Sequence, residues 1–171
     1  QSAEIVLKER HHLRLAFWKK TIESFRKSPC RLFDNRSPSK DHWLSAGSGL
    51  SGCQYNLLFT NKFIAVEFSL QRSSQTENKL IFDSFFKQKI QIERDFGQNL
   101  NWMRLPEKKA SRIQLHFDID ASDKDKWNEM MQWLITHMQK LEAAFKKPLD
   151  DSRLVLNTTD EVETDLDSDL T

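Results

Sequence analysis

Two stretches of the chain carry the same succession of patterns, an alternating apolar segment followed by a helical one. They cover residues 63–97 and 112–145. Alternating apolar residues predict a strand with one buried face, and apolar residues spaced by three and four predict an amphipathic helix. The alternating positions are Ile64, Val66, Phe68 and Leu70 in the first stretch, and Ile113, Leu115, Phe117 and Ile119 in the second. Each predicted strand has a shorter candidate partner just upstream, so the middle of the chain is predicted to be strand–strand–helix written twice.

The flanking segments complete an α+β domain predicted over residues 1–149. A helical pattern covers residues 3–27 and is expected to end before Pro29, because the residue preceding a proline is pushed out of the helical region. The two similar units are expected at 55–97 and 100–147. Burying both alternating sets economically requires a single antiparallel sheet with helices packed on one face, preceded by the long N-terminal helix.

Pro148 is expected to end the last helix. The remaining residues, 150–171, are acidic and have no sustained period, and this pattern predicts a disordered tail. An edge strand at residues 154–156 is the alternative.

Three of the four glycines lie in one segment, HWLSAGSGLSGCQY. Neither a Walker loop nor the GxGxxG spacing of a dinucleotide site is present there. The segment is therefore interpreted as a tight, irregular turn entering a strand, rather than as a ligand-binding loop.

Charge is unevenly distributed along the chain, although the net charge is only +1. Residues 1–40 carry ten Lys or Arg against four acids, and the last twenty-one residues carry seven acids against one Arg. A basic region of this kind could neutralise nucleic-acid phosphates, with Trp43 or Tyr55 stacking on a base. The candidate phosphate-binding residues are Arg10, Arg14, Lys19, Lys20, Lys108, Lys109 and Arg112. The competing interpretation is a solvated helix surface and a solvated linker.

The remaining composition indicates a cytoplasmic protein without a cofactor. Cys30 and Cys53 form no CxxC pair and are expected to be reduced thiols. No apolar run approaches the roughly 20 residues of a membrane span, so no membrane association is expected. The chain begins at Gln1 without an initiator Met, which suggests a fragment or a processed form.

One candidate catalytic site follows from the polar positions of the predicted strands. If the two strands are neighbours, Glu67, His116 and Asp118 could converge and hold Mg²⁺ or Mn²⁺ for phosphodiester hydrolysis. Restriction-type nucleases place a Glu-x-Lys on the strand, and this chain has Glu67-Phe68-Ser69 instead. A solvated polar sheet face explains the same alternation and is the preferred interpretation.

Several segments, taken in order, carry a resemblance to a known family. They are LAFWKK, HWLSAGSGLSGCQY, VEFSL, FDSFFKQKIQIERDFGQNLNWMRLPEKKASRI and LEAAFKKPL. Together they resemble an uncharacterised bacterial and archaeal family of domains of unknown function, over residues 13–149. The family's Ile-Glu…Phe-Gly…Leu-x-Trp core corresponds here to Ile92, Glu93, Phe96, Gly97, Leu100 and Trp102.

The resemblance implies a context rather than a reaction. Longer members of that family carry this domain C-terminal to a segment resembling restriction-endonuclease-like nucleases. This association implies a role in DNA processing or genome defence, and the family offers no established catalytic residues to transfer.

The function predicted from the sequence is that of a non-catalytic accessory domain. It is expected to bind DNA, RNA or a partner protein such as a nuclease-like domain, within a bacterial DNA-processing or defence protein. A divergent metal-dependent nuclease and a structural dimerisation module are the alternatives, and the oligomeric state stays open.

Overall fold

The computed structural model describes residues 2–168, with side chains described for residues 2–158. Four helices and five strands account for most of these residues. They are α1 (Ala3–Arg26), β1 (Trp43–Gly47), β2 (Cys53–Phe59), β3 (Phe63–Leu70), α2 (Gln75–Phe86), α3 (Lys89–Phe96), β4 (Asn101–Met103), β5 (Ser111–Asp118) and α4 (Trp127–Ser168). The strands form one antiparallel sheet in the order β1-β2-β3-β5-β4, which confirms the predicted α+β class.

The two similar units meet at the centre of this sheet. Their second strands, β3 and β5, pair antiparallel, with Val66 opposite Leu115 and Glu67 opposite Gln114. Their first strands, β2 and β4, flank that central pair. The units are therefore arranged around an approximate two-fold axis that passes between β3 and β5.

The helix of the first unit differs from its prediction. It is divided into α2 and α3, and α2 begins at Gln75 because the Ser74 side chain accepts a hydrogen bond from the Glu77 backbone N–H. Gly97 ends α3 in the left-handed conformation at φ 100°, as expected for a glycine after a helix.

The glycine-containing segment is more regular than predicted. Residues Trp43–Gly47 form the edge strand β1, which pairs with β2. The tight turn begins only after β1. At Gly52, where φ is +74°, a Cβ atom would lie 2.8 Å from the backbone of Arg72, so this position requires glycine.

Aromatic side chains fill the space between the helices and one face of the sheet. Phe68 stacks on Phe145 of α4 with ring centroids 5.1 Å apart, and it meets Phe85 of α2 edge-on at 5.6 Å. Phe17 of α1 stacks on Phe59 of β2 at 4.0 Å. Rings at these separations contribute beyond their buried area, so this helix-covered face is the main core.

The predicted end of α4 at Pro148 is wrong. The helix continues to Ser168, so the predicted disordered tail and edge strand are also wrong for residues 150–168; residues 169–171 lie outside the described part. A proline inside a helix costs about 3 kcal/mol. Leu149 and Leu156 beyond it are 4% and 9% exposed. Burying two leucines offsets that cost, since each contributes roughly 1.5–3 kcal/mol.

A buried lysine fixes the connection between β4 and β5. Lys79 of α2 is 8% exposed, and its Nζ donates to the Arg104, Leu105 and Ala110 carbonyls and to the Ser111 hydroxyl at 2.7–2.9 Å. These bonds hold Leu105 at a positive φ of 52°. The β4–β5 loop is therefore anchored to the helix-covered side of the sheet.

The cysteines and the helices bear on two further predictions from the sequence. Cys30 and Cys53 are both buried and free, as expected for reduced thiols. Among the described residues, none of the helices combines the length and apolar character that a bilayer crossing requires.

Candidate functional site

The second face of the sheet carries a line of polar side chains from one edge to the other. The strand register places Ser45, Asn56, Glu67, Gln114 and Asn101 side by side across β1, β2, β3, β5 and β4. We call these five residues the polar row. It follows from alternation, because each of them lies between residues that point into the aromatic core.

Hydrogen bonds organise the centre of the polar row around Glu67. Asn56 Nδ2 donates to Glu67 Oε2 at 2.9 Å and to Ser69 Oγ at 3.0 Å. Gln114 Nε2 donates to Glu67 Oε1 at 2.7 Å. The remaining oxygen of Gln114 lies 2.7 Å from His116 Nε2, which must therefore carry the proton. One carboxylate thus sets the orientation of two amides and, through one of them, of an imidazole.

This face is not the solvated surface that the sequence predicted. Asn56, Glu67, Ser69 and Gln114 are between 1% and 5% exposed. Their burial is possible because each contributes to the network, and buried polar groups without partners are costly. Alternation alone could not separate a buried polar network from a solvated face.

A pocket of about 280 Å³ opens beside this network. Glu67 and Asn56 form part of its wall, and Arg112 faces Glu67 with its Nε 3.6 Å from Oε1. The Arg112 side chain is 43% exposed, whereas Glu67 is nearly enclosed. The pocket therefore combines an enclosed carboxylate with a cation that reaches solvent.

His42 and Trp43, at the start of β1, line one wall of the pocket. Their rings meet edge-on at 4.8 Å, and Trp43 is 42% exposed. Partial burial, reinforced by the charges of Arg14 and Arg112, holds the pKa of His42 below its ordinary value. At neutral pH the two rings are therefore an uncharged aromatic surface.

Shallow depressions continue from this pocket in two directions. One, of about 420 Å³, shares His42 with the pocket and is lined by Arg10, Arg14 and Lys62. The other shares Trp43 and Ser45 with it and extends to Arg36 and Asp41. We call the pocket and these two depressions together the open face.

The three candidate catalytic residues do not converge. His116 reaches Glu67 only through Gln114. Asp118 pairs with Phe63, four positions along β5 from Gln114, which corresponds to about 13 Å along a strand. In the described part of the chain, no group of three or more His, Cys, Asp or Glu side chains is arranged to hold a metal ion.

The candidate phosphate-binding residues are divided among different parts of the molecule. Arg10, Arg14 and Arg112 lie on the open face. Lys20 lies over the Trp127 ring at 5.6 Å, towards α4. Three residues lie elsewhere: Lys19 is exposed on α1, and Lys108 and Lys109 are exposed in the β4–β5 loop. That loop precedes β5, at the opposite end of the strand from the β2–β3 hairpin and Lys62.

Of the two aromatic residues considered for base stacking, the structure leaves only Trp43 accessible. Tyr55 is 2% exposed and meets Phe68 edge-on at 4.9 Å on the helix-covered face. Sequence reasoning missed Asn56, Gln114 and His42 altogether. Asn56 and Gln114 occupy polar positions of β2 and β5, as Glu67 does in β3, so the alternation could have identified them. Nothing in the sequence placed His42 near them.

A larger cavity, of about 630 Å³, lies on the helix-covered side, next to α4 and the loop after α1. Burial raises the pKa of the Cys30 thiol and of the Glu142 carboxyl on its wall. Lys146 and Arg153 on this wall are balanced by Glu142 and Asp150. It therefore offers less attraction for a polyanion than the open face.

The motif that carries the family resemblance has a structural role. Glu93 Oε2 accepts hydrogen bonds from the Leu100 backbone N–H at 2.6 Å and from Trp102 Nε1 at 3.3 Å. These bonds connect α3 to the start of β4, with the left-handed Gly97 between them. Glu93, Gly97 and Trp102 therefore hold the second unit against the first.

Comparison with known proteins identifies a family and no activity. No curated protein and no solved structure matches the chain. A family model described as a domain of unknown function (DUF4268) matches residues 13–149, which include all five strands and most of α1. On that match over most of its length, the chain belongs to the DUF4268 family of domains of unknown function.

Proposed function

We propose that this domain is a non-catalytic module that binds single-stranded nucleic acid on its open face. The observation that supports this most strongly is the continuity of that face. An exposed tryptophan and a polar pocket lie between depressions that carry Arg10, Arg14, Lys62, Arg36 and Arg112. Proteins that bind single strands combine a cationic groove for the backbone with aromatic surfaces for the bases.

The balance of charge on the open face favours a polyanion. Five basic side chains line it, against the carboxylates of Asp41 and Glu67. Glu67 is enclosed and accepts from two amides, so it contributes little repulsion at the surface. Asp118 and Asp120 are exposed at and just after the end of β5, near Lys62, and oppose the basic charge at that end.

The shape of this face favours single strands over duplex. Trp43 and the polar pocket can be reached only by a base that is free to leave its stack. The Phe63 and His116 rings, stacked at 4.2 Å further along the sheet, provide a second flat surface. In a duplex the bases are paired and stacked, and only their edges are accessible.

The proposal extends to the biological setting that the family resemblance implies. We propose that the module serves a bacterial DNA-processing or defence protein that contains a restriction-endonuclease-like part. We also propose a cytoplasmic location, where a reducing environment keeps the buried Cys30 and Cys53 thiols free.

Fluorescence anisotropy with a labelled oligothymidylate of about twelve nucleotides, a length typical of single-strand sites, tests the proposal. Binding is expected to weaken with salt, with a slope of about −0.7 in log K per phosphate contacted. Arg112→Gln should weaken binding and reduce that slope by one such contact, and a duplex of equal length should bind less tightly.

Arg104→Gln is the matched control for Arg112→Gln. Both arginine side chains are 43% exposed and both pair with a carboxylate, but Arg104 pairs with Asp83 of α2 on the helix-covered side. The control should bind as the wild type does. Absence of binding at low salt, or equal loss in the two variants, would overturn the proposal and favour a partner protein as the ligand.

A further inference from the structure

The polar pocket contains a buried acceptor whose direction is fixed by its neighbours. A carboxylate only accepts hydrogen bonds, so Asn56 must turn its Nδ2 towards Glu67 Oε2. The Oδ1 atom of Asn56 then points away from the carboxylate. Among the described residues this oxygen has no hydrogen-bond partner, although Asn56 is only 5% exposed.

The same pocket also contains a buried donor, the Nε atom of Arg112. Arg112 Nε is buried and makes no hydrogen bond within the described part of the chain, since Glu67 Oε1 is 3.6 Å away. Asn56 and Arg112 both line the pocket. Buried polar atoms without partners are uncommon in proteins, and several in one pocket indicate a ligand that supplies the missing partners.

The size and walls of the pocket restrict that ligand to a small planar group. At about 280 Å³ it lies just below the usual range of ligand pockets, which begins at about 300 Å³. It suits a base rather than a complete nucleotide. Trp43 and His42 offer aromatic rings at the wall, against which a planar group can stack.

The arrangement of acceptors and donors favours one base. Asn56 Oδ1 and the Glu67 carboxylate are two acceptors on the wall of one pocket, and their side chains are joined by the 2.9 Å bond from Asn56 Nδ2. Guanine is the base with two adjacent donors, N1–H and the N2 amino group, on one edge. Its O6 and N7 are acceptors, and these atoms are the preferred target of an arginine side chain.

We propose that the pocket formed by Asn56, Glu67 and Arg112 binds a guanine base of the single strand, with Trp43 stacking on it. This inference rests on the proposed nucleic-acid function and adds base selectivity to it. Asn56 and Glu67 accept from N1–H and N2–H₂, and Arg112 donates to O6.

Anisotropy titrations with an oligothymidylate carrying one central replacement test this selectivity. The four probes contain guanine, adenine, cytosine or hypoxanthine at that position. Guanine should bind about tenfold more tightly than adenine or cytosine, within the range of a good side-chain–base pair. Hypoxanthine lacks the N2 amino group, so the hypoxanthine probe should lose most of that advantage. This comparison uses the wild-type protein throughout.

Two protein variants complete the test. Asn56→Ala should lose the preference for guanine over adenine and cytosine, whereas Arg104→Gln, on the helix-covered side, should keep both the overall affinity and that preference. Tight binding of every probe without base preference, or an equal preference for guanine and hypoxanthine, would overturn the guanine pocket and leave the proposed function standing. No binding of any probe would overturn the proposed function itself.

Discussion

The centre of the sheet is buried on both faces, but by different means. The helix-covered face is filled by aromatic rings, such as Phe68 between Phe85 and Phe145. One position along β3, Glu67 points to the opposite face, where amides and an arginine surround it. Adjacent residues of one strand therefore occupy an apolar core and a polar network.

This difference between the two faces indicates where the molecule could accept a ligand. The aromatic face has rings in contact and helices packed over it. The polar face has an acceptor on Asn56 and a donor on Arg112 that make no hydrogen bond among the described residues, although Arg112 forms an ion pair with Glu67. A surface that stabilises only the fold is expected to satisfy its polar atoms, and this expectation supports the binding role proposed for the polar face.

The largest expected effect on stability comes from truncating Phe68 and Glu67, which are adjacent in β3 and point to opposite faces of the sheet. Phe68→Ala should lower the free energy of unfolding by about 4 kcal/mol, because it leaves a cavity between closely packed rings. Glu67→Ala should lower it by about 2 kcal/mol, since two amide donors lose their acceptor but water can enter from the pocket. Urea denaturation measures both changes, and a greater loss for Glu67→Ala would contradict the contrast between the faces.

A smaller effect tests whether α4 beyond Pro148 belongs to the helix-covered face. Leu156 is 9% exposed, whereas Leu154 on the same helix is 66% exposed. Leu156→Ala should cost about 2 kcal/mol and Leu154→Ala less than about 0.5 kcal/mol. The difference in midpoint between the two variants in thermal or urea unfolding is the measurement. Equal midpoints would show that the helix after Pro148 does not pack as described.

The smallest effect concerns the pH dependence of stability on the helix-covered face. His137 stacks on Trp133 at 4.1 Å, and its Nδ1 bonds the Trp133 carbonyl at 2.7 Å. Burial holds the pKa of His137 below its ordinary value of 6.5. The neutral form is favoured by folding, so this contribution is complete above pH 6.5 and is lost as the pH falls towards the lowered pKa.

His137→Gln should therefore flatten the stability profile below pH 6.5 and leave the profile above it parallel to that of the wild type. Unfolding free energies measured across this interval provide the comparison. A variant that keeps the wild-type slope would show that His137 is not the group responsible.

Most of the fold was predictable because its signals are local. Alternation identified β3 and β5, and Gly97 marked the end of α3. The errors arose where tertiary packing decides the outcome. Pro148 suggested a helix end, but burial of Leu149 and Leu156 outweighs its cost.

The candidate site was predictable only in part, for a related physical reason. The polar phase of β3 and β5 correctly placed Glu67 and His116 on one face. The sequence could not give the register that puts Gln114, rather than Asp118, opposite Glu67. Nor could it bring His42 and Arg14, which precede the sheet, to the mouth of a pocket between strands.

Nucleic acid is proposed to bind the open face and not the helix-covered one. The five tryptophans of the chain provide five indole N–H signals for a nuclear magnetic resonance titration with oligothymidylate. Trp43 lies on the open face, whereas Trp127 and Trp133 contact Phe17 and Phe117 on the other side. If nucleic acid binds the open face, the Trp43 signal should shift progressively while those of Trp127 and Trp133 stay in place. Shifts confined to Trp127 and Trp133, with Trp43 unchanged, would contradict this proposal.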